Sequence, residues 1–154
     1  MSGPNLAAHS FTNTIYAISA TLPATFDAAG YGSTAITYTT IGRVEQFPEF
    51  GATREVQKFT PINGSVEYAK GTPEFGSGQL IVADIPSDAG QVILRAADAS
   101  TNQFSIKITY PDNEIHYLSV LVSSWQLAQS QSGQFKKRTA TINISRPPVI
   151  VAAA

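Results

Sequence analysis

The sequence predicts a mainly β fold (α+β) with a single α-helix and one long irregular loop. Three observations carry that expectation. Hydroxyl-rich, β-branched segments alternate with period two, most clearly in Phe104–Tyr110 and Thr139–Ser145. One window alone, residues 84–99, has helical periodicity. Residues 48–79 carry Pro48, Gly51, Pro61, Gly64, Gly71, Pro73, Gly76 and Gly78, a density of breakers that regular structure does not sustain.

Along the chain, residues 1–10 read as a flexible arm. Phe11 to Ala20 reads as a strand that ends before Pro23, and Ser33 to Phe47 as a second, with Ile36 and Tyr38 on one face. Within the loop, Asn63-Gly64 predicts a type I′ turn that pairs Arg54–Thr60 with Ser65–Ala69. An excursion of this length inside a compact domain usually has a function. In the helix, Ser87 is the expected N-cap and Asp88 places charge in the first turn, where the helix dipole favours it. Ala89, Val92, Ile93, Ala96 and Ala97 make the expected apolar stripe, with Gln91, Arg95 and Asp98 on the other side.

The next segment predicts a hairpin. Phe104, Ile106, Ile108 and Tyr110 alternate with polar residues, Pro111-Asp112-Asn113 turns the chain, and Glu114–Trp125 returns. The returning strand is apolar on both faces, Leu118, Val120 and Val122 on one and Tyr117, Leu121 and Trp125 on the other. It therefore needs covering on both, by its own chain or by a neighbouring subunit. The last strand, Phe135–Arg146, puts Ala140, Ile142 and Ile144 towards the core and Thr139, Thr141, Asn143 and Ser145 towards water or a channel. Pro147-Pro148 stops it, leaving 147–154 as a tail.

The bulk numbers fit one domain over residues 1–154, large enough for a hydrophobic core without staples. Only 14% of residues are charged, against about 25% in average soluble proteins, so the surface suits packing against copies of itself. The absence of cysteine excludes disulfides, thiolate metal sites and cysteine nucleophiles. A net charge of −1 argues against tight capture of nucleic acid. The start Met1-Ser2-Gly3-Pro4-Asn5 lacks the features of a secretion signal, and no apolar run reaches the ~20 residues of a membrane span. Without a secretion signal, the sequons at Asn63 and Asn143 read as coincidence.

No constellation supports catalysis. His9 and His116 have no spaced partners that would build a metal site. Gly71–Ser77 has the glycine spacing of a phosphate loop but lacks its lysine, and no GxSxG elbow occurs. Asp84 and Asp88 read as residues around a helix start, and Asp112-Asn113-Glu114 as a hairpin turn. Lys136-Lys137-Arg138 reads as a solvated strand start, or as partners for acidic residues across a subunit contact. The expectation is a non-enzyme without cofactor or metal.

The order of segments from about residue 30 to 146 resembles the tail tube (major tail) proteins of long-tailed, non-contractile bacteriophages. The likeness rests on Gly51-Ala52-Thr53-Arg54-Glu55 before the long loop, Asp88-Ala89-Gly90-Gln91 opening the helix, and a hairpin turning at Pro111-Asp112-Asn113, with asparagine where glycine is commonest. That resemblance implies a β-sandwich or small barrel flanked by the helix, and self-assembly into stacked hexameric rings forming a conduit for double-stranded DNA. Implied partners are further copies and the tape-measure, tip and terminator proteins, in a virion assembled in the host cytoplasm, with no membrane anchor. Phe47, Phe50, Arg54, Glu55 and Phe59 are then candidates for ring stacking. Thr139, Thr141, Asn143 and Ser145 are candidates for the lumen, and Tyr117, Leu121 and Trp125 for the core or a subunit contact. The alternatives are a tail terminator, an inner tube of a contractile tail or secretion system, or a carbohydrate-binding β-sandwich using Tyr31, Tyr38, Tyr110, Tyr117 and Trp125.

Overall fold

The computed structural model describes residues 10–128 and 131–152, so all but Ser10 of the expected arm lies outside the described residues. The elements run β1 (Ile15–Ser19), α1 (Ala28–Tyr31), β2 (Thr39–Thr40), β3 (Val44–Gln46), β4 (Thr53–Phe59), β5 (Glu67–Glu74), β6 (Ser77–Ala83), α2 (Ala89–Ala99), β7 (Phe104–Thr109), β8 (Ile115–Val122), β9 (Gln126–Leu127), β10 (Lys137–Ile144) and β11 (Val149–Val151). The fold is mainly β with one principal helix, as the sequence predicts.

The main sheet has the order β2-β1-β7-β8-β10-β6-β3, with β11 added to β8 and β9 to β10. Its described pairings are antiparallel. Laid flat, six strand-to-strand steps of about 4.8 Å would hold β2 and β3 about 29 Å apart. The chain from Thr40 to Val44 spans about 14 Å at most. The sheet must therefore curl until its ends approach, which makes a small barrel with a seam between β2 and β3.

Alternation fills that barrel. Ile18, Ile106, Leu118, Val120, Ala140, Ile142, Leu80 and Val82 are fully buried and belong to one core with Leu94 and Ala97 of α2. In register, Ile18 lies opposite Ile106, and Ile106 opposite Leu118, so each row continues around the wall. The β7–β8 turn uses Asn113 at φ 71°, a left-handed conformation that asparagine tolerates better than most residues.

Around Tyr117 the second apolar face of β8 is covered by its own chain, while Leu121 and Trp125 stay half-buried. Residues 21–38 lie over the outside of β7 and β8, and Tyr31 of α1 stacks on Tyr117 with ring centres 5.3 Å apart. Beneath that layer the buried Ser105 hydroxyl donates to the Thr21 carbonyl at 2.9 Å. Tyr117 is thus packed inside its own chain, the core placement of the two expected for it.

The first turn of α2 holds the seam. Asp88, not Ser87, is the N-cap: its Oδ2 accepts from the Gln91 and Gly42 amides, each at 3.1 Å. Gln91, 2% exposed, donates from Nε2 to the carbonyls of Ala83 at 2.7 Å and Gly42 at 3.1 Å, and its Oε1 accepts from the Ile85 amide at 3.1 Å. One side chain therefore bridges the end of β6, the β2–β3 corner and the start of the helix.

Several expectations change for stated reasons. The strand expected over 33–47 is broken into β2 and β3 by a corner at Gly42 and Arg43, the latter at φ 58°. Ile36 and Tyr38 lie before β2, in the outer layer over β8. The helix begins at Ala89, and its buried face is Gly90, Gln91, Leu94 and Ala97, so Ala89, Val92 and Ala96 of the expected stripe are exposed. Asn63-Gly64 does not make a tight I′ turn, because the β4–β5 pairing closes at Phe59 and Glu67 around a longer loop, 60–66. The expected tail carries β11, whose Val149 pairs with Tyr117.

A methyl group on Gly90 would stand 2.4 Å from the Thr40 carbonyl oxygen and 2.6 Å from Ile41 Cα. Alanine favours an isolated helix by about 1 kcal/mol over glycine. Here the clash is with backbone at the seam, so Gly90→Ala should destabilise the protein by about 1–3 kcal/mol. Urea denaturation checks this, and an unchanged or raised midpoint would contradict the close packing.

Candidate assembly surfaces

The five residues expected to stack rings divide into two groups. Phe47 and Phe50 belong to an aromatic cluster at one end of the barrel. Phe47 stacks on Tyr16 at 4.8 Å, and Phe50 meets Phe47 edge-on at 6.0 Å and His116 at 5.6 Å. These side chains and Tyr110 line a cavity of about 580 Å³. Burial first, then the neighbouring Tyr16 and Glu114, pushes the Tyr110 phenol up to about 12, so it stays a neutral donor. The two phenylalanines thus brace the root of the loop and are not its projecting anchors.

Arg54, Glu55 and Phe59 lie instead on β4, which pairs only with β5. Residues 52–60 and 62–70 are exposed throughout, so this hairpin leaves the barrel as a separate ribbon. Val56, Phe59, Ile62 and Tyr68 are all more than half exposed on it. Gly51 at φ 138° and Gly76 at φ 117° stand at its two roots, conformations that a side chain would strain.

The residues expected to face a lumen share the outer face of β10 without the cover that β8 receives. Thr139, Thr141 and Asn143 are half-buried and lie opposite Ile81, Gln79 and Ser77 of β6. The Ser124 hydroxyl donates to Thr141 Oγ1 at 2.9 Å and accepts from the Thr141 amide at 3.0 Å. Ser145 is exposed beyond the strand end. Together they form a hydroxyl and amide strip without an ionised side chain. Leu121 borders it opposite Asn143, and Trp125, half-buried, packs against the core beneath the Arg138 guanidinium at 5.9 Å.

The cationic run finds its acidic partners inside the chain. Lys136 Nζ lies 3.1 Å from Asp84 Oδ2, Arg138 Nε 3.5 Å from Asp84 Oδ1, and Lys137 Nζ 2.8 Å from Glu45 Oε2. The Asp84 side chain is 4% exposed. The short contact with Lys136 leads the causes that hold its carboxyl below the ordinary range, the charges of Lys136 and Arg138 adding to it against burial. The tyrosines and tryptophan that a flat carbohydrate-binding strip would need are mostly spent on packing: Tyr31 and Tyr117 are buried on each other, and Tyr38, Tyr110 and Trp125 are half-buried.

No family model matches the sequence, and no curated protein matches it. Solved structures do match in fold. A chain of the anti-feeding prophage baseplate superposes with a TM-score of 0.66 at 13% identity, covering 99% of both chains. A chain from the sheath/tube terminator of an extracellular contractile injection system gives 0.67 at 9% identity, over 95% of this chain and 98% of that one. A chain of the anti-feeding prophage tube-terminating cap gives 0.58 at 9% identity, over 98% and 97%. The fold is therefore shared, end to end, with chains of the anti-feeding prophage and of an extracellular contractile injection system.

Because folding lowers the pKa of Asp84, its ionised form stabilises the native state above the ordinary carboxylate range, about 3.9, and that contribution is lost as pH falls through the lower folded value. Asp84→Asn should lower the urea midpoint at neutral pH, and the gap from wild type should narrow below about pH 4. A gap that stays constant down to the acid limit of folding would contradict the assignment.

Proposed function

We propose that this chain is a ring-forming structural subunit of a contractile tail or injection particle, placed in its tube or at the tube's end. The observation that carries the reading is the end-to-end correspondence of the fold, 95–99% of both chains, with chains from a baseplate and from a sheath/tube terminator. Fold alone is an analogy. The projecting hairpin adds independent support, since the exposed Val56, Phe59, Ile62 and Tyr68 on it present apolar surface that a partner would cover.

This reading moves from the non-contractile tail tube implied by the sequence motifs to a contractile tube or terminator, because the structures that match include chains of an extracellular contractile injection system. Its partners are further copies in the ring, the ring above or below, and other tail proteins. The uncharged strip of Thr139, Thr141 and Asn143 is the proposed lumen wall. Such a wall offers a passing polyanion such as DNA few groups to hold its phosphates. Ring closure is heterologous: one patch meets a different patch on the next copy. No catalytic or cofactor role enters the proposal.

Electron microscopy and mass photometry of the purified protein over a concentration series test this. Closed rings of uniform diameter are expected. Rings that stack into long tubes place the chain in the tube shaft, and isolated rings or short stacks place it at the terminator. A strictly monomeric protein at every concentration would overturn the proposal.

A further inference from the structure

We infer that the β4–β5 hairpin of each copy stacks face to face on the hairpin of the next copy, its basic face against the neighbour's acidic face. The inference rests on the ring-forming reading above and names the contact that its hairpin makes.

The two faces of the ribbon separate every charge it carries. Residues directly opposite each other in an antiparallel pair point to the same side, and neighbours along a strand point to opposite sides. Val56 lies opposite Lys70, Lys58 opposite Tyr68, and Arg54 opposite Pro73. One face is therefore Arg54, Val56, Lys58, Tyr68 and Lys70. Thr53 lies opposite Glu74, Gln57 opposite Ala69, and Phe59 opposite Glu67, with Glu55 following the same alternation on β4; a register shift between Arg54 and Val56 puts one extra residue into β5, which sets Pro73 on the side of Lys70 and Glu74 on the side of Ala69. The other face is thus Glu55, Glu67 and Glu74 with Phe59 and Ala69. All three cations are on one side and all three carboxylates on the other. Among the described residues none of the six enters an ion pair within the chain.

Within one molecule this arrangement is unfavourable, since like charges crowd each face of a two-stranded ribbon that is marginal in water by itself. Both faces also expose large apolar groups, Val56 at 58% and Tyr68 at 68% on the basic side, and Phe59 at 63% on the acidic side. An edge-to-edge join would leave both faces bare. Stacking covers both, pairs opposite charges, and uses the same two surfaces on every copy, as a head-to-tail ring requires.

Size limits what the contact does. Seven residues at about 3.4 Å give a ribbon about 24 Å long and about 10 Å wide, so a face buries a few hundred Å². Stable interfaces need more than that. The hairpins therefore set direction and register for a ring whose main contact lies between the barrels.

Charge reversal tests the stacking. Lys58→Glu with Lys70→Glu makes both faces acidic, and Glu55→Lys with Glu67→Lys makes both basic. Each double variant should fold with the wild-type melting temperature, because the ribbon supplies no core residue, and should need about tenfold or more protein to form rings. The quadruple variant swaps the faces and should recover assembly alone, and the two double variants should recover it when mixed. Rings that form equally well in every variant would overturn the stacking and leave the ring-forming proposal standing. Loss in the lysine variant alone, without rescue in the quadruple variant, would overturn it in favour of an acidic partner of another kind. A monomeric wild type would overturn both.

Discussion

Gln91 is the side chain on which the rest of the structure depends. A curled sheet whose ends are joined by a short corner must either leave edge groups exposed at the seam or find something to bond them. The Gln91 amide bonds the carbonyls of Gly42 and Ala83 and the amide of Ile85, while Asp88 takes the Gly42 amide. Buried polar groups are costly unless satisfied, and here the satisfaction is complete only in the closed arrangement. The helix is thus a fastening for the barrel as well as part of its core. Gly90 is required at the same place because the helix must come within contact of the β2–β3 backbone.

The closed barrel then sorts the surface by function. Its interior and the part of β8 around Tyr117 are filled by the chain itself, while two features stay more open among the described residues: the polar strip on β10, met by Ser124 along one side, and the hairpin beyond Gly51 and Gly76. The strip is built into a rigid wall. The hairpin has few tertiary contacts, which places it at the low-stability end of the molecule, where assembling segments are commonly found. A stable wall and a separate ribbon are compatible with the proposed ring component.

Much of this was legible in the sequence. The β7–β8 hairpin, its turn at Pro111-Asp112-Asn113 and the inward row Ala140, Ile142 and Ile144 follow from alternation and turn chemistry. The helix was found, but its buried face was placed about one position off. Hydrophobic periodicity counts a glutamine as solvent-facing and cannot see that Gln91 is buried because three backbone groups meet it. The corner at Gly42 and Arg43 has only a single glycine as its local signal, too weak against the β-branched residues before it to end a strand. In the candidate surfaces, Phe47 and Phe50 read as exposed anchors because a breaker-rich segment hides where the compact body ends. The separation of charges on the hairpin was present in the alternation of Arg54 and Glu55, yet it acquires meaning only once register across from β5 is known.

Native-state hydrogen exchange on Gln91→Leu tests the central claim, that this residue keeps the barrel shut. Leucine keeps the volume and burial but leaves the seam carbonyls unpaired, a cost of about 2 kcal/mol, equivalent to roughly thirtyfold in an opening equilibrium. The account predicts that amides of β2, β3 and the end of β6 exchange about that much faster, while those in the middle of β7 and β8 change far less. Protection lost equally from every strand, or unchanged at the seam, would contradict it.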